Sequence, residues 1–136
     1  MASQSPASPV ADQAAGFPPL TDAELRIARE DLGLTAEWVA ERIGVALRTV
    51  RRWEAGHSPV PAGVADTIGE WTDAADAQVD AWAARLLDVP EPVLVIPREG
   101  ERDGWPAGWW RALAARIIER VDGLRVVYDD DRADRC

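Results

Sequence analysis

Three glycines, Gly33, Gly44 and Gly56, cut residues 21–56 into three short apolar-patterned stretches, and this punctuation constrains the fold more than any other feature of the chain. The first stretch opens at Thr21-Asp22-Ala23-Glu24, a capping-box pattern. It carries Leu25, Ala28 and Leu32 on one helical face and stops at Gly33. The second opens at Thr35 as N-cap, with Glu37 in its first turn near the positive end of the helix dipole. Val39, Ala40 and Ile43 form its buried face, with Trp38 beside it, and Gly44 permits a tight turn out of it. The third runs from about Leu47 to Ala55, with Val50 and Trp53 three apart on one face. Ala40 is small where the third helix crosses the second, and Val45 and Val50 fill the space beneath the crossing. Leu47, Arg48, Arg51 and Arg52 are left facing outward.

Charge tests what such an outward face could bind. The 136 residues carry a net charge of −9, the wrong sign for a chain that binds nucleic acid with its whole surface. The distribution is uneven. Residues 21–60 hold six Arg against seven acids, and residues 61–136 hold nine Arg against sixteen. Arg48, Arg51 and Arg52 lie within five residues, and a local patch can hold phosphates while the remaining surface repels them. Every basic residue is Arg and none is Lys, which favours bidentate contacts.

Residues 1–19, rich in Ala, Ser, Pro and Gln, read as a disordered tail. Residues 20–60 read as one domain of three short helices, His57 to Pro61 is the connector at its end, and residues 61–89 read as one long connecting helix. Val64, Ile68, Trp71, Ala75, Val79, Trp82 and Leu86 form a narrow stripe along it. Gly63 and Gly69 are places where it could break. Residues 90–128 read as strand, helix, strand: Val93–Ile96, a charged loop over 98–104, a helix opened by Pro106, and Leu124–Tyr128. The helix carries Trp109, Leu113 and Ile117 on one stripe and Trp110, Ala114, Ile118 and Val121 on the next. A helical crossover makes the two strands parallel. Residues 129–136 read as an acidic, solvated tail. The expected class is therefore mainly α, with a small α/β C-terminal part.

The register Arg29, Gly33-Leu34-Thr35, Val39-Ala40, Gly44-Val45, Thr49-Val50, Trp53-Glu54, Gly56 resembles the Cro/C1-type (XRE-like) helix-turn-helix of phage repressors and bacterial regulators. The resemblance covers about a quarter of the chain and implies a lambda-repressor-like bundle whose third helix enters the major groove. The positions matching base readers are Ala46, Leu47, Arg48 and Arg52, with Arg48 the first candidate for a bidentate contact to guanine. Phosphate contacts are expected from Thr35 with the start of the second helix, and from Thr49, Arg51 and His57. Arg29 and Glu54 match a structural ion pair between the first and third helices. Two positions depart from the family: Ala36, where Gln is frequent, and Ala46, where a Ser or Thr cap is frequent. Both remove a polar contact. A looser similarity, over about 21–128, is to YdiL-like and anti-CRISPR-associated repressors. It rests on Trp53-Glu54-x-Gly56, the Val60-Pro61 helix start and Asp103-Gly104 before a Trp-rich helix, and it implies a C-terminal dimerisation unit.

These readings converge on a dimeric repressor of double-stranded DNA reading an inverted repeat. The alternative is an antitoxin-like or adaptor module that keeps the scaffold and binds protein instead. RNA binding has no support in the sequence. An enzyme is not expected: one His and one Cys, His57 and Cys136, leave no nucleophile–base pair, and no Gly-rich phosphate loop is present. No metal or other cofactor is expected, because no His or Cys joins the acids of the long helix. Six tryptophans, 38, 53, 71, 82, 109 and 110, read as core, with Trp105 in a turn where it could be exposed. Without a signal peptide, a 20-residue apolar run or a second cysteine, the expected location is the cytoplasm.

Overall fold

The computed structural model describes residues 18–134. Four helices come first: α1 (Asp22–Asp31), α2 (Ala36–Ile43), α3 (Leu47–Glu54) and α4 (Ala62–Leu86). A small mixed part follows, in the order β1 (Val93–Ile96), β2 (Glu101–Arg102), β3 (Trp105–Pro106), α5 (Ala107–Ile118), β4 (Arg125–Tyr128) and α6 (Asp129–Asp134). The chain is thus mainly α with a small α/β C-terminal part.

Local chemistry sets the helix ends. The Thr21 hydroxyl accepts from the Glu24 N–H at 3.1 Å, while the Glu24 carboxylate accepts from the Thr21 N–H at 3.0 Å, which closes a capping box. Thr35 caps α2 by accepting from the Trp38 N–H. Gly44 ends α2 in the left-handed conformation, at φ 91°, where any residue with a Cβ is disfavoured. Ala46 occupies the N-cap of α3 and makes no side-chain capping bond.

Helix α4 runs unbroken for 25 residues, about 38 Å. Gly63 and Gly69 do not interrupt it, because Val64, Ile68 and Trp71 around them are buried and fix their turns. The buried stripe ends differently from the spacing expected. After Val79 it continues through Ala83 to Leu86, and Trp82 sits half-buried at the rim. There the Arg85 guanidinium lies 4.6 Å over its ring. Asp76 and Asp80, on the wet side of α4, take ion pairs from Arg116 and Arg120 of α5 or the turn after it.

β1 and β4 pair in parallel, with Val93 beside Arg125 and Ile96 beside Tyr128. The intervening α5 packs on β1 and on α4. Trp109, Leu113 and Ile117 of α5 are fully buried, together with Val121 after it. Ile118 departs from its expected stripe and is 49% exposed. The loop expected over 98–104 contains a hairpin instead: β2 pairs antiparallel with β3 around Asp103-Gly104. Both turn residues have positive φ, 56° and 83°, as a two-residue type I′ turn requires. Residues 129–134 form α6 rather than a solvated tail. Arg98 holds it, donating to Asp130 at 2.7 Å and to Asp131 at 2.8 Å. Apart from Pro18 and Pro19, the tail expected over 1–19 lies outside the described residues, as does Cys136.

One apolar core runs through both parts, from Leu25, Val39 and Val50 to Leu94, Trp109 and Ile117. Gly33, after α1, meets Gly108, in the first turn of α5, backbone to backbone. A Cβ on either would run into the other's carbonyl oxygen. Above this contact Trp105 stacks on Trp109 at 3.6 Å, Trp38 stacks on Trp105 at 5.7 Å, and Trp71 meets Trp38 edge-on at 5.2 Å. Trp105 is half-buried within this stack rather than left out in a turn.

Candidate nucleic-acid interface

The outer face of α3 is built from the inside. Val50 and Trp53 are buried beneath the helix, and the i, i+3 and i+4 geometry carries Arg48, Arg51 and Arg52 to one shared face on the opposite side. All three are exposed. Helix α3 packs on α2 and α1, and no acid of the C-terminal half pairs with these three side chains among the described residues. Arg51 reaches Glu37 at 3.5 Å, with both side chains more than 60% exposed. Such a pair contributes little, at most about 1 kcal/mol, and a phosphate can displace it. Arg52 donates to the Ser58 hydroxyl at 3.4 Å. Arg48 has neither an ion pair nor a hydrogen bond among the described residues.

The other candidate residues lie around this face. Ala46 is exposed, and Leu47 and Thr49 are half-buried. Leu47 packs against the core at its inner edge. His57 is exposed just beyond α3, and its backbone N–H donates to the Arg52 carbonyl. Thr35 uses its hydroxyl oxygen to cap α2, and the hydroxyl proton is left to donate outward. Ala36 adds no polar atom beside it.

The scaffold behind the face is held by Arg29 and Glu54. The Arg29 Nε and Nη2 donate to the two carboxylate oxygens of Glu54 at 2.6 and 2.8 Å, and Nη1 donates to the Leu34 carbonyl at 3.1 Å. The two side chains are 13% and 10% exposed. The bond to Glu54 raises the Arg29 pKa further above its ordinary value, against the opposing effect of burial. The guanidinium stays charged, and the fork ties α1, the start of α2 and the end of α3 together.

An open groove of about 640 Å³ runs from this fork to the start of α2. Arg26 and Arg51 line it, and so do Glu30 and Glu37. Arg26 went unnoticed in the sequence, where its spacing from Glu30 reads as an ordinary i, i+4 helix pair. The pair is indeed formed, at 3.0 Å. Arg42 was missed as well. Its guanidinium lies 4.4 Å over the Trp38 ring and donates to the Gly104 carbonyl at 2.7 Å. The Trp38 indole N–H donates to Glu101 at 2.9 Å. Arg42 and Trp38 thus bind the β2–β3 hairpin to α2, and their role is to position the helices rather than to meet a ligand.

Among the described residues no helix is long and apolar enough to cross a membrane, and no cluster of His, Cys, Asp and Glu is placed to hold a metal ion. No curated protein matches the chain. The family match covers the four N-terminal helices almost to the end of α4, and it says nothing of the YdiL-like likeness over 21–128. Residues 23–82 match the family model of the helix-turn-helix domain, in agreement with the Cro/C1-type register, and the chain carries a helix-turn-helix domain there.

Proposed function

We propose that this chain is a sequence-specific reader of double-stranded DNA. It acts as a transcriptional regulator, as a dimeric (auto)repressor on an inverted repeat, and not as an enzyme. The observation that carries the reading is the exposed face of α3, where Arg48, Arg51 and Arg52 project away from Val50 and Trp53. In this reading Arg48 and Arg52, with Leu47 and Ala46, meet base edges in the major groove. Arg51, Thr35, Thr49 and His57 meet phosphates. Arg29 and Glu54 hold the helices and touch no DNA. A two-fold dimer spaces its two reading helices about one DNA turn apart, or a multiple of it. The cytoplasmic location belongs to the same reading.

The test is selection of bound duplexes from a random pool, followed by sequencing. An enriched inverted repeat with a fixed half-site spacing supports the reading, and a pool with no enrichment at low salt defeats it. A second reading, a protein-binding module on the same scaffold, draws on the acidic C-terminal half, the uncapped start of α3 and the Glu30 and Glu37 carboxylates in the groove. Heparin chromatography separates the two. Retention that disappears in the Arg48/Arg51/Arg52→Ala triple variant favours DNA. Absence of retention, with no mobility shift on any duplex, favours the module.

A further inference from the structure

The two edges of the β1–β4 sheet are unlike. β1 lies between Pro92 and Pro97, and Arg102 donates through Nη1 to the Val95 carbonyl at 3.0 Å. That edge is closed to another strand. β4, Arg125-Val126-Val127-Tyr128, has β1 as its one strand neighbour among the described residues. It carries no Pro and no Lys. The Arg125 N–H donates to the Pro92 carbonyl at 3.0 Å. In a parallel ladder alternate residues turn to the same side, so Arg125 and Val127 face β1, and Val126 and Tyr128 turn their N–H and C=O groups outward. Beside this edge lies an open groove of about 480 Å³. Its walls include Ala114, Ala115 and Ile118, and Ile118 is 49% exposed.

We propose that this edge of β4 pairs antiparallel with β4 of a second copy of the chain, across a two-fold axis at Val127. The proposal rests on the dimeric reading above and names its surface. What selects a second copy as the occupant is self-complementarity. With Val127 on the axis, Val126 of each copy lies opposite Tyr128 of the other, so both outward-facing residues enter the new ladder. Arg125 lies opposite Asp129 of the second copy, which gives two opposite-charge pairs by symmetry. Both residues are exposed, and neither is in an ion pair among the described residues. A slip of one residue sets outward groups against inward ones. A slip of two in one direction sets Arg125 against Val127 and forfeits both charge pairs; in the other it sets Val126 against Asp130, which lies within α6 and offers no extended backbone to the ladder. The product is a four-stranded sheet with the closed edge of β1 at each end. Ile118 of each copy lines the groove beside the junction.

Sedimentation velocity on the full chain, with far-UV circular dichroism as the check on folding, tests this. The wild-type chain is expected to be a dimer. Val127→Lys, on the open face of the sheet, is expected to give a folded monomer, because it sets two ammonium groups on the axis. Arg125→Asp and Asp129→Arg are each expected to weaken the dimer roughly tenfold, and the double variant to restore it. If Val127→Lys fails to fold, the charge swap alone decides. A dimer that survives a folded Val127→Lys variant, or a double variant no tighter than the singles, overturns this surface and leaves the dimeric reading in place. Such a result would point to another face of the chain. A wild-type chain that stays monomeric at high micromolar concentration overturns both, while the duplex selection still decides the DNA reading on its own.

Discussion

At the scale of single residues, Arg48 and Glu54 stand six apart on one short helix and do opposite work. Arg48 is exposed and unengaged, so its removal costs the fold almost nothing. Arg48→Ala is expected to leave the thermal midpoint within error and to lower affinity for the selected operator by about 1–3 kcal/mol, relaxing preference at one base position. Binding of a panel of single-base operator variants checks this. A uniform loss across the panel would assign Arg48 to phosphate. Glu54 is 10% exposed and holds Arg29 through two hydrogen bonds. Glu54→Ala leaves a half-buried guanidinium with the Leu34 carbonyl and the more distant Glu30 carboxylate, at 4.0 Å. It is expected to cost about 2–4 kcal/mol of stability, somewhat less than a fully buried pair. Urea unfolding measures it. Arg29 and Glu54 were legible as a pair because their register matches a known motif. The hold of Arg42 on Gly104 was not, because no local pattern marks a guanidinium that reaches 62 residues along the chain.

At the scale of elements, what was legible followed local chemistry. The three short helices announced themselves by Thr21, Thr35 and the glycines, and β1 by four apolar residues between prolines. The hairpin at 101–106 was passed over because two-residue strands carry no periodicity, although Asp103-Gly104 is a strong turn pair. Helix α6 was hidden for a different reason. Asp129, Asp130 and Asp131 repel one another in an isolated chain, and their helix depends on Arg98, more than thirty residues earlier. Arg98 also lies 4.3 Å over the Tyr128 ring. The hydrogen bond from Arg98 holds the Asp130 carboxyl below the usual carboxylate range, and the carboxylate in turn raises Arg98. The sign of the linkage follows. A carboxylate with a depressed folded pKa stabilises above its unfolded value, and this contribution is lost as pH falls through the folded one. Helix α6 is therefore expected to stay docked through neutral and mildly acidic pH and to loosen on the acid side of the carboxylate range. Amide exchange of residues 129–131 measured against pH should show this. In Arg98→Ala the same amides should exchange fast already at neutral pH.

At the scale of the whole molecule, the helix-turn-helix and the strand–helix–strand part share one core. The buried stripe of α4 packs on α1 in one direction and on α5 in the other. Trp109 of α5, wholly buried, stacks on Trp105, and Trp105 on Trp38 of α2. The Gly33–Gly108 contact allows no side chain between the two parts. A core of this kind cannot be divided at residue 61 or 89 without exposing tryptophan, and truncating a buried Trp costs about 3–5 kcal/mol. The full chain is therefore expected to unfold in one transition, with tryptophan fluorescence and far-UV circular dichroism coincident in urea. Gly108→Ala is the sharper form of the prediction, since a single methyl must push α5 away from the end of α1. It should move both probes together, by about 2–4 kcal/mol, in the range of overpacked and strained sites. Two separate transitions, or a change confined to one probe, would mean that the reading helix and the C-terminal part fold as independent units. The orientation of α3 would then owe nothing to the tryptophan stack.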